Sequence, residues 1–264
     1  MKMVSSVKLR KAQSAVQSTL PYVEQLDGIL GRLSVMNDSQ CVSMLCGRAV
    51  HRVAIVAISS DSSLCGGFNS NIIRHSRSLY DRCASECEEA PMLFVVGQKI
   101  TDYYRKSGIE ADASFSGLIS KRNFSESAAL ADKLTELFES QTIDRVIITY
   151  THFKSAGSQT VTDYQLLPVR LPEGLQGNVS TDYILEPSAE ELLKTLLPQV
   201  IRMRMHTAVL DSFCSEQAAR VVAMQAATDN ADNLIAELTL QYNKLRQQAI
   251  TNELLDLAGG QIEN

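Results

Sequence analysis

The sequence lacks the residues that interrupt helices over a long stretch near its C-terminus. Residues 199–258 contain no proline and no glycine and are rich in alanine, leucine and glutamine. Because these residues lose little on entering a helix, whereas proline and glycine break it, the stretch predicts one continuous helix. At 1.5 Å per residue it would be roughly 90 Å long, against an average helix of about 11–12 residues. Such a helix is expected to project from its own domain and to function through what it contacts there.

Other absences exclude several classes of protein. The sequence contains no run of eighteen apolar residues that could span a membrane. Its formal net charge of −5 gives no reason to expect that it binds nucleic acid. The N-terminal apolar run is too short and too broken for a signal peptide. The six cysteines include no CxxC pair, so we expect reduced thiols in a cytosolic compartment. Cys83 and Cys87 lie four residues apart on a predicted helix, but with only four scattered histidines we predict no metal site.

An apolar stripe follows the predicted C-terminal helix. Charged residues such as Asp229, Glu237 and Lys244 occupy its other faces, which argues against a helix buried in a core. An ordinary amphipathic core helix is the alternative, and the unbroken length argues against it. Gly259 and Gly260 predict the end of the helix. The stripe recurs at spacings of four, four, three and four residues and suits packing against another helix: Leu234, Leu238, Tyr242, Leu245 and Ala249.

The first 36 residues also have helical periodicity. Apolar residues recur from Val7 and Leu9 to Leu30 and Leu33, and Pro21 is expected to kink the helix. We predict that this N-terminal helix is the partner of the C-terminal stripe.

Between the two helices, strand-like runs alternate with helix-like stretches. The runs are short and continuously apolar, as expected for strands buried on both faces of a parallel sheet. A fourth run alternates more and is expected nearer an edge. The alternation predicts a doubly wound α/β domain, and we divide the chain into 1–50, 51–188 and 189–264. The predicted strands are 53–58, 92–96, 146–150 and 160–169, and the predicted helices are roughly 69–87, 98–106 and 125–139.

The loop after the first predicted strand is a candidate catalytic site. Gly66 and Gly67 lead into a helix N-terminus at the carboxyl edge of the sheet and could cradle a phosphate. The sequence lacks both GxGxxG and GxxxxGK[ST], the two nucleotide-binding signatures. Cys65 could be an activated thiol, but no histidine is near it in sequence. We favour the alternative, a tight strand-to-helix turn that needs two glycines.

Distinctive motifs lie at both ends of the chain. They are MKMV at 1–4, KLRKAQ at 8–13, LCGGFN at 64–69, SEQAARVVAM at 215–224, ATDNA at 227–231 and YNKLRQQAITNEL at 242–254. In them the chain closely resembles the gamma subunits of F-type ATP synthases, while its middle resembles them by pattern only. The resemblance implies a long antiparallel coiled coil of N- and C-terminal helices with an inserted Rossmann-like parallel-sheet domain.

The resemblance implies a mechanical role. It implies a central stalk that turns with the c-ring inside the ring of alpha and beta subunits of a proton-translocating synthase. The stalk would drive the catalytic beta subunits through their conformational cycle. Implied partners are the alpha and beta subunits, the epsilon subunit and the c-ring, with no nucleic acid. The implied location is the cytoplasmic face of the bacterial inner membrane, peripheral to it. No catalytic residue, cofactor or metal ligand is expected here, because ATP chemistry would occur on the beta subunits.

Individual residues take roles from the same resemblance. Arg246 and Gln247 match the pair gripped by the catch loop of the beta subunit. Positions that tune coupling between rotor and beta subunits are matched by Met1, Arg220, Thr251 and Glu253. Tyr183 and Glu186 match positions on the side of the subunit that faces the c-ring and the epsilon subunit.

Two departures and two alternatives accompany this interpretation. The resemblance implies roughly twenty further residues, about 30 Å of helix, before Met1. Ser62 and Ser63 stand where the family commonly has Arg-Gly. A Rossmann-like nucleotide-binding protein would bind its ligand at Gly66 and Gly67. A free coiled-coil scaffold would instead form a homodimer through the apolar stripe.

Overall fold

The computed structural model describes residues 2–36, 43–170, 185–186 and 188–260. The chain divides into two compact units, Met1–Val222 and Ala223–Asn264, which are described separately. The helices within the described residues are α1 (Lys2–Met36), α2 (Phe68–Glu86), α3 (Gln98–Lys106), α4 (Leu118–Lys121), α5 (Phe124–Glu139) and α6 (Ala189–Gly260). The strands are β1 (Val53–Ile58), β2 (Met92–Val96), β3 (Ala113–Phe115), β4 (Arg145–Ser155) and β5 (Ser158–Leu167).

The five strands form one sheet in the order β3-β2-β1-β4-β5. The pairs β1–β2, β1–β4 and β2–β3 are parallel, and β5 is antiparallel to β4. Every residue of β1 is buried, which confirms the expectation for continuously apolar runs. The alternating run became the edge strand β5, also as predicted. The three-residue β3 carries no apolar run and was not predicted.

Side chains of the central strands alternate between two apolar cores. Val53, Ile55 and Ala57 of β1 lie in the core that includes residues of α2 and α3. Ala54, Val56 and Ile58 lie in the larger core that includes residues of α1, α5 and α6. Helices therefore cover both faces of the sheet, which confirms the doubly wound α/β prediction.

Helix α1 lies antiparallel to the first part of α6. Asp27, in the second half of α1, has a carboxylate oxygen 2.6 Å from Nη2 of Arg204. Lys8, near the start of α1, lies close enough to Glu216 for its charge to act against the rise in the pKa of that carboxyl group. Residue numbers thus rise along α6 as they fall along α1. Buried and half-buried residues of α1 recur at alternating spacings of four and three, the period of a coiled coil: 5, 9, 12, 16, 19, 23, 26, 30 and 33. The helix continues through Pro21.

The C-terminal stripe is exposed, contrary to the sequence-based expectation. Leu234, Leu238, Tyr242 and Leu245 are each more than half exposed. The buried residues of α6 extend from Leu193 to Ala218, and α1 packs in the core that they form. Spacing identifies an amphipathic face but not its partner, so the prediction placed α1 against the wrong part of the helix. Helix α6 also begins at Ala189, includes Pro198 and continues to Gly260, beyond the predicted limits.

Side chains of α6 fix this helix to an edge of β4. The pairing of β4 with β1 ends at Thr149, so the following residues of β4 lack a strand partner on that side. Asp211 accepts a hydrogen bond from the Phe153 backbone N at 3.0 Å, and the Ser215 hydroxyl donates to the Thr151 carbonyl at 2.9 Å. Asp211 also lies 2.6 Å from Nδ1 of His152. These bonds satisfy backbone groups that a free edge would leave unpaired.

A buried carboxylate joins the approach to β1 with the start of β4. One oxygen of Asp144 accepts the backbone N–H groups of His51 and Arg52 at 2.9 and 3.0 Å. Its other oxygen lies 2.6 Å from Nε of Arg48, whose guanidinium also donates to the carbonyls of Phe138 and Ile143. Burial acts to raise the pKa of Asp144, but these hydrogen bonds and the arginine charge outweigh it, so the pKa is lowered.

Gly97, in the turn between β2 and α3, occupies a position that only glycine fits. Its φ is +101°, and an added Cβ would lie 2.5 Å from the Ser59 carbonyl oxygen. That oxygen is backbone and cannot move aside as a flexible side chain could. Gly97 thus holds the turn against the end of β1.

Replacing Gly97 by alanine is expected to destabilise the fold by about 2–4 kcal/mol, through backbone strain and a steric clash. The matched control is Gly28→Ala in α1, where an added Cβ meets no atom of the described residues within 4 Å. That change should stabilise the protein by about 0.5–1 kcal/mol, because alanine loses less entropy in a helix than glycine does. Urea unfolding of both variants checks this. Equal stabilities for the two would contradict it.

Candidate partner-binding surface

The helical segment after Val222 exposes apolar side chains on several faces. Leu234, Leu238 and Leu245 share one face, whereas Leu240 and Leu254 lie elsewhere because successive residues turn by about 100°. Leu240 is 69% exposed and Leu254 is 61% exposed. A helix that is apolar on several sides is normally buried. The composition of this segment therefore favours an environment that encloses it rather than a single neighbouring helix.

Four of the residues singled out by resemblance lie exposed on this segment. Arg246 and Glu253 are seven residues apart and share a face, and Gln247 and Thr251 share the adjacent one. The Thr251 hydroxyl donates to the Gln247 backbone carbonyl at 2.8 Å. Within the described ranges, no hydrogen bond or ion pair engages the Arg246 guanidinium or the Gln247 side-chain amide. Both groups are thus available to a partner.

Arg220, in the first unit, ties α6 to the loop between β1 and α2. Its Nη2 donates to the Ser62 hydroxyl at 2.7 Å and to the Ser63 carbonyl at 3.2 Å. It also forms an ion pair of 2.7 Å with Glu216, and the two side chains are 12% and 5% exposed. Burial raises the pKa of Glu216, although the charge of Arg220 opposes that rise. Ser62 and Ser63 thus both accept hydrogen bonds from Arg220.

Asp61 holds the same loop from its other side. Its Oδ1 accepts the backbone N–H groups of Gln98 and Gly117, each at 3.2 Å, and its Oδ2 accepts the Ser120 hydroxyl at 2.5 Å. Neither Asp61 nor Glu216 was singled out from the sequence. The one signal for Asp61 was its place at the carboxyl edge of the sheet, just after β1.

Three polar side chains in and just after the loop that follows β1, those of Ser60, Cys65 and Asn69, contact one another. The Ser60 hydroxyl contacts the Asn69 side chain at 2.9 Å, and Asn69 Nδ2 lies 3.1 Å from the buried Cys65 sulfur. Gly66 has a φ of +57°, but Gly67 has an ordinary φ of −78°. The expectation that both glycines are needed is therefore wrong for Gly67. This arrangement favours the structural turn over a phosphate cradle.

Several other sequence-based candidates can be located. Among the residues described, no group of three or more His, Cys, Asp or Glu side chains could hold a metal ion. Over the same ranges, no helix combines the length and apolar character that crossing a membrane requires. Glu186 is exposed just before α6. Met1 and Tyr183 lie outside the described residues.

Arg220→Ala is expected to destabilise the protein by about 1–3 kcal/mol, because it leaves the buried Glu216 carboxylate unpaired. The loss should be largest at neutral pH and should shrink as the pH falls through the raised pKa of Glu216, which lies above the ordinary carboxyl value and rises further without Arg220. Urea unfolding between pH 4 and pH 8 measures this. As a control, Arg220→Ala combined with Glu216→Ala should recover part of the stability. If the loss of stability did not depend on pH, the Arg220–Glu216 pair would not be its cause.

Comparisons with known proteins point to one family. The sequence model of the ATP synthase family matches residues 1–262. The chain is 46% identical over 265 residues to the ATP synthase gamma chain of Phocaeicola vulgatus, covering 98% of this chain and 91% of that one. It is 47% identical to the gamma chain of Bacteroides fragilis strain YCH46, with the same coverage. The structure resembles the central stalk and c-ring of Tetrahymena thermophila mitochondrial ATP synthase. The TM-score is 0.63 at 26% identity, covering 86% of this chain and 97% of that one.

Proposed function

The chain belongs to the ATP synthase gamma chain family, and from this premise we propose that it is the rotating shaft of a proton-translocating synthase. It is a non-catalytic stalk subunit of that complex. In our proposal it turns with the c-ring and drives the catalytic beta subunits through their conformational cycle. The complex would lie on the cytoplasmic face of the bacterial inner membrane, with this subunit peripheral to it.

The observation that carries the proposal is the apolar surface of the segment after Val222. Leu238 is exposed on one side of the helix, and Leu240 and Leu254 are exposed together on the opposite side. A homodimer through a single seam would cover only one of these sides. A ring of alpha and beta subunits would surround the helix and cover all of them. The rotor proposal therefore accounts for this surface better than a free coiled-coil scaffold does.

A long unbroken helix suits the transmission of torque. One charge that crosses a membrane potential of 100 mV releases about 2.3 kcal/mol, so several crossings must be summed for one ATP. Helix α6 contains 72 residues, and its only internal proline is Pro198, inside the first unit. Its backbone hydrogen bonds can store twist without local unfolding.

Arg246 and Gln247 are proposed to bind the catch loop of the beta subunit. The planar guanidinium of Arg246 suits carboxylates on that loop, and the amide of Gln247 can both donate and accept. We further propose coupling roles for Met1, Arg220, Thr251 and Glu253. Tyr183 and Glu186 are proposed to face the c-ring and the epsilon subunit. The three-part division into 1–50, 51–188 and 189–264 belongs to the same proposal.

Native mass spectrometry of the chain co-expressed with the alpha and beta subunits of its own organism tests the proposal. The expected result is one copy of the chain for each ring of alpha and beta subunits. A homodimer that ignores both subunits would overturn the proposal and favour the scaffold. Binding of a nucleotide by the isolated chain at Gly66 would favour the Rossmann-like alternative.

A further inference from the structure

The buried pair of Arg204 and Asp27 is poorly suited to stabilising the fold. The Arg204 side chain is 5% exposed and that of Asp27 is 22% exposed. One bond of 2.6 Å joins Nη2 of Arg204 to Asp27, but among the described residues nothing forms a hydrogen bond with the buried Nε and Nη1 atoms of Arg204. The Tyr164 ring, 5.8 Å from the guanidinium carbon, offers only a distant cation–π contact. Burying a charge with donors unsatisfied costs free energy that one ion pair does not reliably recover.

One of the two series of inner-face residues on α1 does not define a unique alignment of the two helices. That series repeats every seven residues as Leu9, Val16, Val23 and Leu30, all buried or half-buried. A displacement of α1 along α6 by one heptad, about 10 Å, would place similar side chains at each level. Apolar packing therefore discriminates weakly between such alignments along this series.

The Arg204–Asp27 pair, in contrast, discriminates strongly between the native alignment of α1 along α6 and the displaced ones. A displacement of seven residues in one direction would bring Asp27 beside Asp211, and in the other direction beside Leu197. Both of these α6 residues are buried. Asp27 would meet a like charge or an apolar side chain, and Arg204 would lose its carboxylate. Each displaced alignment would leave buried charges uncompensated, which is strongly unfavourable.

We infer that the Arg204–Asp27 pair sets the register of α1 against α6, at no net gain in stability. A single polar group in a coiled-coil seam fixes alignment in the same way, by making the wrong alignments costly. Helix α6 is held to β4 by Asp211 and Ser215, so α1 is the element whose position the pair determines.

Distances between spin labels on the full chain test this inference. One pair of labels at Lys11→Cys and Gln199→Cys reports α1 against α6, since both positions are exposed. A second pair at Ser140→Cys and Gln199→Cys reports α6 against α5 and serves as an internal control. Both pairs are placed in a background in which the native cysteines are replaced.

The decisive variant is Asp27→Leu combined with Arg204→Met. We expect it to fold with a melting temperature equal to or above that of the parent. Its first label pair should show a second distance, displaced by the axial shift of about 10 Å, while the control distance stays unchanged. The matched control for loss of an ion pair is Asp81→Leu with Arg77→Met on α2, which should leave both distances unchanged.

Two charge variants sharpen the result. Asp27→Arg alone should populate the displaced alignment, because it places two arginines together in the native one. Adding Arg204→Asp restores an opposite pair and should restore the single native distance. A single native distance in the Leu/Met variant would overturn the inference. So would failure of that variant to fold, since the pair would then act on stability, or displacement in the control pair.

Discussion

Replacing Arg246 and Gln247 by alanine is expected to abolish most coupling between rotation and ATP chemistry in the assembled synthase. The two side chains are exposed and engage no partner among the described residues, so their removal should leave the fold of this chain intact. The proposed hydrogen bonds to the beta subunit, one charged and one neutral, would together contribute roughly 2–4 kcal/mol, or about thirtyfold or more in the coupled population. Proton-driven ATP synthesis in sealed vesicles, compared with ATP hydrolysis by the same complex, measures the loss.

The matched control for this pair is Lys244→Ala with Gln248→Ala. It also removes one cation and one amide, but from the side of the same exposed helix that is opposite Arg246. Coupling should be nearly unaffected in the control. Arg246→Lys should lose much of the effect of arginine, because an ammonium group cannot bind a carboxylate with two parallel bonds. If the control variant lost coupling to the same extent, general charge rather than the catch-loop pair would be responsible.

Asp144→Asn is expected to destabilise the first unit by about 2–4 kcal/mol, because the change removes the charge that faces Arg48 and weakens two backbone hydrogen bonds. The pKa of Asp144 is lowered by folding, so its contribution is present above its unfolded pKa and is lost as the pH falls through the folded pKa. In the parent protein that loss should occur below about pH 4, and the variant should lack it. Urea unfolding from pH 2.5 to pH 7 measures both effects.

An exposed pair supplies the control for Asp144. Asp81 is joined to Arg77 on the surface of α2, where solvent screens the interaction. Asp81→Asn should therefore change the stability by under about 0.5 kcal/mol. Similar losses in both variants would mean that burial of Asp144 does not determine its contribution.

Much of the sheet could be predicted because burial leaves a direct mark on sequence. Strands β1 and β2 are buried on both faces, and their predicted bounds agree with the structure. Strand β5 alternates because it lies at an edge, and its position followed from that pattern. Strand β3 is held by pairing with β2 over three residues and carries no apolar signature, so nothing local could reveal it.

Less of the candidate partner-binding surface could be predicted from the sequence. The partner of an apolar stripe depends on tertiary structure, and Leu234 and Leu245 are exposed where packing against α1 was expected. The contact of Arg220 with Ser62 joins residues 158 positions apart. Nothing in the sequence distinguishes Glu216 from an exposed helical glutamate, because its burial depends on the fold. The roles of Arg246 and Gln247 came from resemblance, and they stay a prediction.

The contact between Asp27 and Arg204 also has a consequence for how the chain is made. The two residues are 177 positions apart, so α1 leaves the ribosome long before its partner exists. At a synthesis rate of 5–20 residues per second, the delay is roughly 10–35 s. During that time the inner face of α1, with Leu26, Leu30 and Leu33, lacks α6, the helix that packs antiparallel to it. We expect nascent chains that end before residue 204 to associate with holding chaperones through α1, and complete chains to be released.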